Sequence, residues 1–130
     1  MKIKNKLGHY EDFMSHIYVK NTLKKGRGVF SSVFLKENDL IELCELLILD
    51  YSEAGETLER YIFEFSKNKV ALALGCGSLY NHSENPNAQA ELDIKNKKLR
   101  ILSLRDIYPG EEITINYGYS DFDKKKFQIS

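Results

Sequence analysis

The hydrophobic positions of this chain fall in short runs of period two, separated by polar turns. Ile17 and Val19 alternate with Tyr18 and Lys20, and Ala88, Ala90, Leu92 and Ile94 alternate with polar neighbours. After Lys95-Asn96-Lys97-Lys98, Leu99, Ile101 and Ser103 continue the same phase. Successive side chains of a strand point to opposite faces, so these runs predict half-buried strands, and the polar break predicts a hairpin. Leu40 to Leu49 is nearly continuous apolar and reads as a buried strand, bounded by Glu37-Asn38-Asp39 and Asp50. Tyr61-Ile62-Phe63-Glu64-Phe65 would place its three aromatic rings on one face of a further strand, and Lys67-Asn68-Lys69 turns the chain into Val70 to Leu74. Gly26-Arg27-Gly28 predicts a glycine turn between two β segments, and Ser52 to Glu59 a polar loop or one helical turn. A last strand, Ile113 to Tyr117, follows the Pro109-Gly110 turn.

Many short strands without a long amphipathic helix define a mainly β domain. With 130 residues, 42% of them hydrophobic, the chain has room for one such domain and one site. Nineteen basic residues balance nineteen acidic ones, so no broad cationic face is predicted for nucleic acid. The lysines at 2, 4 and 6 and at 124–126 read as solvated tails. Cys44 and Cys76 make no CxxC and have no metal-ligand spacing, so reduced thiols in an intracellular protein are expected, with no metal site. An N-terminus without an apolar secretory core, and no run near the roughly 18 apolar residues of a membrane span, predict a soluble cytoplasmic protein, with the nucleus as the other compartment.

Three clusters carry candidate chemistry. In Lys25-Gly26-Arg27-Gly28 the two glycines permit φ > 0 and close approach of a ligand to the backbone. Taken alone it is an ordinary tight turn, and the third glycine of a dinucleotide fingerprint is missing. Asn81-His82-Ser83-Glu84-Asn85-Pro86-Asn87, preceded by Gly75 to Tyr80, would by itself be a loop with Asx turns. Its N-glycosylation sequence lacks a secretory context, its histidine lacks metal-ligand neighbours, and its serine lacks a nucleophile elbow. In Gly110-Glu111-Glu112-Ile113-Thr114-Ile115-Asn116-Tyr117-Gly118 the two glutamates point to opposite faces and cannot act as a glycosidase pair.

Together, and in this order, the clusters resemble the motifs of SET-domain protein lysine methyltransferases. Lys25 to Phe30 resembles the opening GxG motif, Asn81-His82-Ser83 with Pro86-Asn87 the NHSxxPN motif, and Gly110 to Thr114 through Tyr117-Gly118 the closing GEExT…YG motif. Tyr61-Ile62-Phe63 resembles the aromatic strand that precedes the NHS segment. The resemblance implies a SET-domain (β-clip) fold of several small curved sheets with few short helices, whose C-terminal segment threads in a knot-like manner beside the NHS segment. It divides the chain into an N-terminal extension over 1–14, a SET domain over 15–119 and a tail over 120–130 as a candidate cover for the cofactor or substrate site.

The implied activity is transfer of methyl groups from S-adenosylmethionine to the side-chain amine of lysine in a protein, leaving S-adenosylhomocysteine and using no metal. Lys25, Gly26, Arg27, Gly28, Asn81 and His82 would hold the cofactor. Tyr61, Phe63, Tyr80 and Ile115 would line the lysine channel, and Tyr117 would be catalytic. Alignment for an in-line displacement can supply roughly 7–11 kcal/mol, so positioning residues suffice. A lysine in water has a pKa of about 10.4, which leaves under about 0.1% as the neutral nucleophile at pH 7, and low dielectric with a neighbouring sulfonium favours its deprotonation. The expected partner is a protein with a target lysine, a histone or other basic protein, with no direct nucleic-acid or membrane contact and with the chain monomeric or homodimeric. The sequence departs from the family in Glu84, where many members carry cysteine, in Ile115, where many carry Phe or Tyr, and in having no cysteine after Tyr117. It thus reads as a small stand-alone SET protein without a post-SET zinc segment, with Tyr119, Phe122 or Phe127 as candidate covers for the cofactor. The alternative function is a catalytically inactive SET-like module that binds a peptide or the cofactor.

Overall fold

The period-two runs form strands where they were expected. The computed structural model describes residues 2–4, 10–12 and 16–116. In chain order its strands are β1 (Lys2–Lys4), β2 (Tyr10–Asp12), β3 (Ile17–Thr22), β4 (Gly26–Ser31), β5 (Leu40–Asp50), β6 (Ile62–Ser66), β7 (Lys69–Ala73), β8 (Asn81–His82), β9 (Ala88–Asp93), β10 (Lys98–Ser103) and β11 (Glu112–Ile115). They make three sheets among the described residues: the pair β1-β2, a five-stranded sheet in the order β6-β7-β5-β10-β9, and a four-stranded sheet in the order β3-β4-β11-β8. This is the mainly β architecture that the pattern predicts.

The long strand β5 organises the larger sheet, because it pairs antiparallel with β10 through its first half and with β7 through its second. Its side chains at 42, 44 and 46 point inward while those at 43, 45 and 47 face solvent. Leu99 and Ile101 of β10 and Leu92 of β9 complete the same buried layer. The smaller sheet adds Val29, Ile113 and Ile115, so one continuous core lies between the two sheets. Paired backbone bonds of 2.8 Å between Leu35 and Ile107 tie the loops that follow β4 and β10. Burying such side chains stabilises the fold by about 1.5–3 kcal/mol each relative to exposure.

Local departures from the sequence reading have local causes. The turn between β3 and β4 is made by Leu23 to Lys25, and both glycines at 26 and 28 lie inside β4, paired with Thr22 and Lys20. Tyr61 closes a 3-10 turn (Glu59–Tyr61) instead of joining Phe63 and Phe65 on β6. The polar segment before it is α1 (Tyr51–Leu58), kinked at Gly55, which takes φ 62° and ψ −175°. Ile94 belongs to the β9–β10 turn, closed by Lys97 at φ 55°. Tyr117 and the tail beyond it lie outside the described residues.

Candidate functional site

The three motif clusters, far apart in sequence, meet on the four-stranded sheet. β11 lies at its centre, antiparallel to β4 through Glu112–Phe30 and Ile113–Val29, and parallel to β8 through Thr114–Asn81 and Ile115–His82. Alternation along β11 buries Ile113 and Ile115 and turns Glu112 and Thr114 to the other face. β8 is two residues long, so backbone pairing alone holds it weakly. Its outgoing end is fixed by a bond from the Ser83 amide to the Ile115 carbonyl at 2.9 Å. Farther on, the buried Asn87 side chain donates to the Glu112 carbonyl and accepts from the Thr114 amide, both at 2.8 Å. One amide thereby satisfies both a donor and an acceptor of β11 in a partly buried setting.

At the centre of the junction the Asn81 side chain donates to the Glu112 carboxylate at 2.8 Å and to the Arg27 carbonyl at 3.1 Å. Both partners are acceptors, so their chemistry fixes which end of the amide faces them, and Oδ1 is the atom Asn81 can offer to a ligand. Gly28 packs against the same pair: a methyl added there would stand 2.5 Å from Glu112 Oε2 and 2.8 Å from Asn81 Nδ2. Gly26 is glycine for another reason. Its φ is +75°, and the space where a side chain would project is open. Thr22 braces this turn, accepting from the Lys25 amide at 2.9 Å and donating to the Gly26 carbonyl at 2.8 Å. The Lys25 ammonium reaches the His82 carbonyl at 3.4 Å, spanning the gap between β4 and β8. Just beyond β11, Asn116 Oδ1 is buried with no hydrogen-bond partner among the described residues.

Lys25, Gly26, Arg27, Gly28, Asn81 and His82 are therefore brought together. The residues expected to line a channel are placed more diversely. Tyr61 is partly exposed, and its carbonyl accepts from the Ser78 hydroxyl at 3.0 Å. Phe63 is half-buried against the core, and Ile115 is within it. Tyr80 is also a core residue, its hydroxyl donating to Glu42 at 2.7 Å. Burial first, then the charge of Glu42, holds that phenol well above its ordinary pKa. Three participants were not singled out from the sequence: Glu112, Asn87 and Glu42. The first two lie within the motifs, and Glu42 was hidden in an apolar run. Among the described residues no group of three His, Cys, Asp or Glu side chains gathers as metal ligands would.

Comparison with known proteins places the chain in a family. The SET domain family matches residues 26–118. A Schizosaccharomyces pombe histone-lysine N-methyltransferase specific for H3 lysine-37 is 34% identical over 109 residues, spanning 80% of this chain and 74% of that protein. A Cryptococcus neoformans histone-lysine N-methyltransferase specific for H3 lysine-36 is 28% identical over 128 residues, spanning 85% of this chain and 15% of that much longer protein. The crystal structure of a candidate histone methyltransferase from Plasmodium falciparum superposes with a TM-score of 0.73 at 36% identity, covering 82% of this chain and 96% of that one. The chain belongs to the SET-domain family of protein lysine methyltransferases.

Proposed function

We propose that this SET domain transfers methyl groups from S-adenosylmethionine to a lysine of a histone, with Tyr117 as the catalytic hydroxyl. The observation that carries the proposal is the meeting of Gly28, Asn81 and Glu112 at one point of the small sheet. Two curated relatives are named for neighbouring lysines of histone H3, which favours a histone tail as substrate and nuclear action over the cytoplasmic location expected from the sequence.

The residues at the junction fit such a cofactor. Its amino-acid end carries an ammonium and a carboxylate; Asn81 Oδ1 and nearby carbonyls suit the first, and the Lys25 ammonium suits the second. Open space beside Gly26 lets a ligand approach the β4 backbone. When bound, S-adenosylmethionine supplies an electrophilic methyl group. The chain's own contribution is to orient the lysine amine, exclude water and favour the neutral amine, and we assign the orienting hydroxyl to Tyr117, two residues beyond β11.

The test is incubation of the purified protein with labelled S-adenosylmethionine and histone octamers, nucleosomes or H3 peptides, comparing wild type with Tyr117→Phe. Label should enter H3, and the substitution should reduce the rate by roughly 100-fold or more, the loss typical of a polar group acting on the transition state. Cofactor binding without transfer to any protein would replace this reading with that of a binding module.

A further inference from the structure

β8 carries Asn81 and His82 yet is only two residues long, so its position must be imposed from both ends. The outgoing end is tied to β11, as described above. The incoming end arrives through the Gly75–Tyr80 loop, and that loop is built around a buried carboxylate. Glu42, on the inward face of β5, is only 7% exposed. Its Oε1 accepts from the Tyr80 hydroxyl at 2.7 Å and its Oε2 from the Cys76 amide at 2.9 Å. Gly75 crosses so near that a methyl there would stand 2.5 Å from Oε2, and its φ of +71° also requires glycine. One turn of alternation farther along β5, Cys44 packs against Gly77, where an added methyl would lie 2.9 Å from its sulfur. The loop is thus moulded on the side chains of residues 42 and 44 at three successive points.

Both of these donors to Glu42, the Tyr80 hydroxyl and the Cys76 amide, are neutral. A carboxylate held in a core by neutral donors is a poor way to stabilise a fold, since a wholly apolar cluster of similar volume would bury at less cost. Directional bonds, in contrast, fix a loop in one place. We propose that Glu42 is a positioning residue: through Tyr80 and the Cys76 amide it sets where Asn81 and His82 lie against β11, and with that the affinity for the cofactor. The proposal rests on the cofactor site assigned above.

Glu42→Met, Glu42→Gln and Tyr80→Phe in the full chain separate this role from plain packing. The measurements are the cofactor dissociation constant by calorimetry, the KM for cofactor and for an H3 peptide, and the unfolding midpoint. Glu42→Met strands the Tyr80 hydroxyl and the Cys76 amide, so the unfolding midpoint should fall, and in the folded variant cofactor affinity should fall about tenfold, the scale of one lost buried hydrogen bond. The peptide KM should change less than threefold. Glu42→Gln, whose amide can still accept from Cys76 and donate to the Tyr80 oxygen, should stay within about threefold of wild type. If Glu42→Met does not fold, Tyr80→Phe carries the test, with the same fall in cofactor affinity. Folded variants that bind cofactor as wild type does would overturn the positioning role alone. A wild-type protein that binds no S-adenosylmethionine would overturn the site assignment, and this role with it.

Discussion

The Asn81 amide and the Glu112 carboxylate, 31 positions apart in sequence, meet at 2.8 Å, and the same amide nitrogen also donates to the backbone carbonyl of Arg27 at 3.1 Å. The pair joins the NHS segment to the closing strand and aims Asn81. Asn81→Asp should therefore do more than remove a donor. It places a second carboxylate against Glu112 and should weaken S-adenosylmethionine binding about tenfold or more near neutral pH. Adding Glu112→Gln supplies a donor to the new carboxylate and should recover part of that loss. Calorimetric titration of the two single variants and the double variant checks the coupling; strict additivity would show that the contact does not govern the site.

The two glycines of the opening motif predict different behaviour. Gly28→Ala forces a methyl into the space held by Asn81 and Glu112, and overpacking of this kind costs about 1–3 kcal/mol. Cofactor affinity should fall with stability, and the effect should be less than additive with Glu112→Ala, which vacates part of the space. Gly26→Ala meets no neighbour within 4 Å and carries only the strain of a left-handed φ, about 1–2 kcal/mol. Chemical denaturation of both variants distinguishes clash from strain.

The fold and much of the site were legible because the physics there is local. Alternation located β9 and β10, the polar turns bounded them, and the GxG, NHS and GEE clusters marked the strands that converge. What stayed illegible depended on which face of a strand meets the core. In Leu40 to Leu49 each phase of the alternation carries one glutamate, Glu42 in one and Glu45 in the other. Nothing in the pattern tells which is buried; contact with the Gly75–Tyr80 loop decides it. Tyr61 was misplaced for a similar reason, since the 3-10 turn after α1 overrides the aromatic alternation. Asn87 sat in a segment whose polar residues all suit a loop, and its bonds to β11 arise only when that strand returns beside it.

That double bond makes Asn87 a stability determinant. Asn87→Ala would leave the Glu112 carbonyl and the Thr114 amide without it in a partly buried setting, and each stranded group costs up to about 1–3 kcal/mol. Asn87→Asp keeps an acceptor for Thr114 but sets a carboxylate against the Glu112 carbonyl. Its defect should shrink as pH falls and the new carboxyl, protonated, can donate. Urea unfolding of the Asp variant at pH 7 and pH 5 checks this; a defect that does not vary with pH would argue against the bond to the carbonyl.

The pocket around Glu42 also makes a prediction for alkaline conditions. Burial first, then the charge of Glu42, pushes the Cys76 thiol up to about 11 and also raises Cys44 and Tyr80 well above their ordinary values. In the unfolded chain a thiol ionises near pH 8.5. Between about pH 8.5 and 11 the unfolded chain therefore binds fewer protons than the native one, and stability falls as pH rises, by up to about 1.4 kcal/mol per pH unit for each thiol. Below that window the thiols add no slope. Lys69, raised by its exposed pairing with Asp50, adds its own loss only above the ordinary lysine range. Replacing both cysteines by alanine lowers stability at every pH through lost packing, but it removes the thiol titration and should flatten the decline between pH 8.5 and 10. Urea unfolding under reducing conditions across that interval gives the comparison, and equal slopes for wild type and the double variant would show that the thiols are not held protonated by the fold.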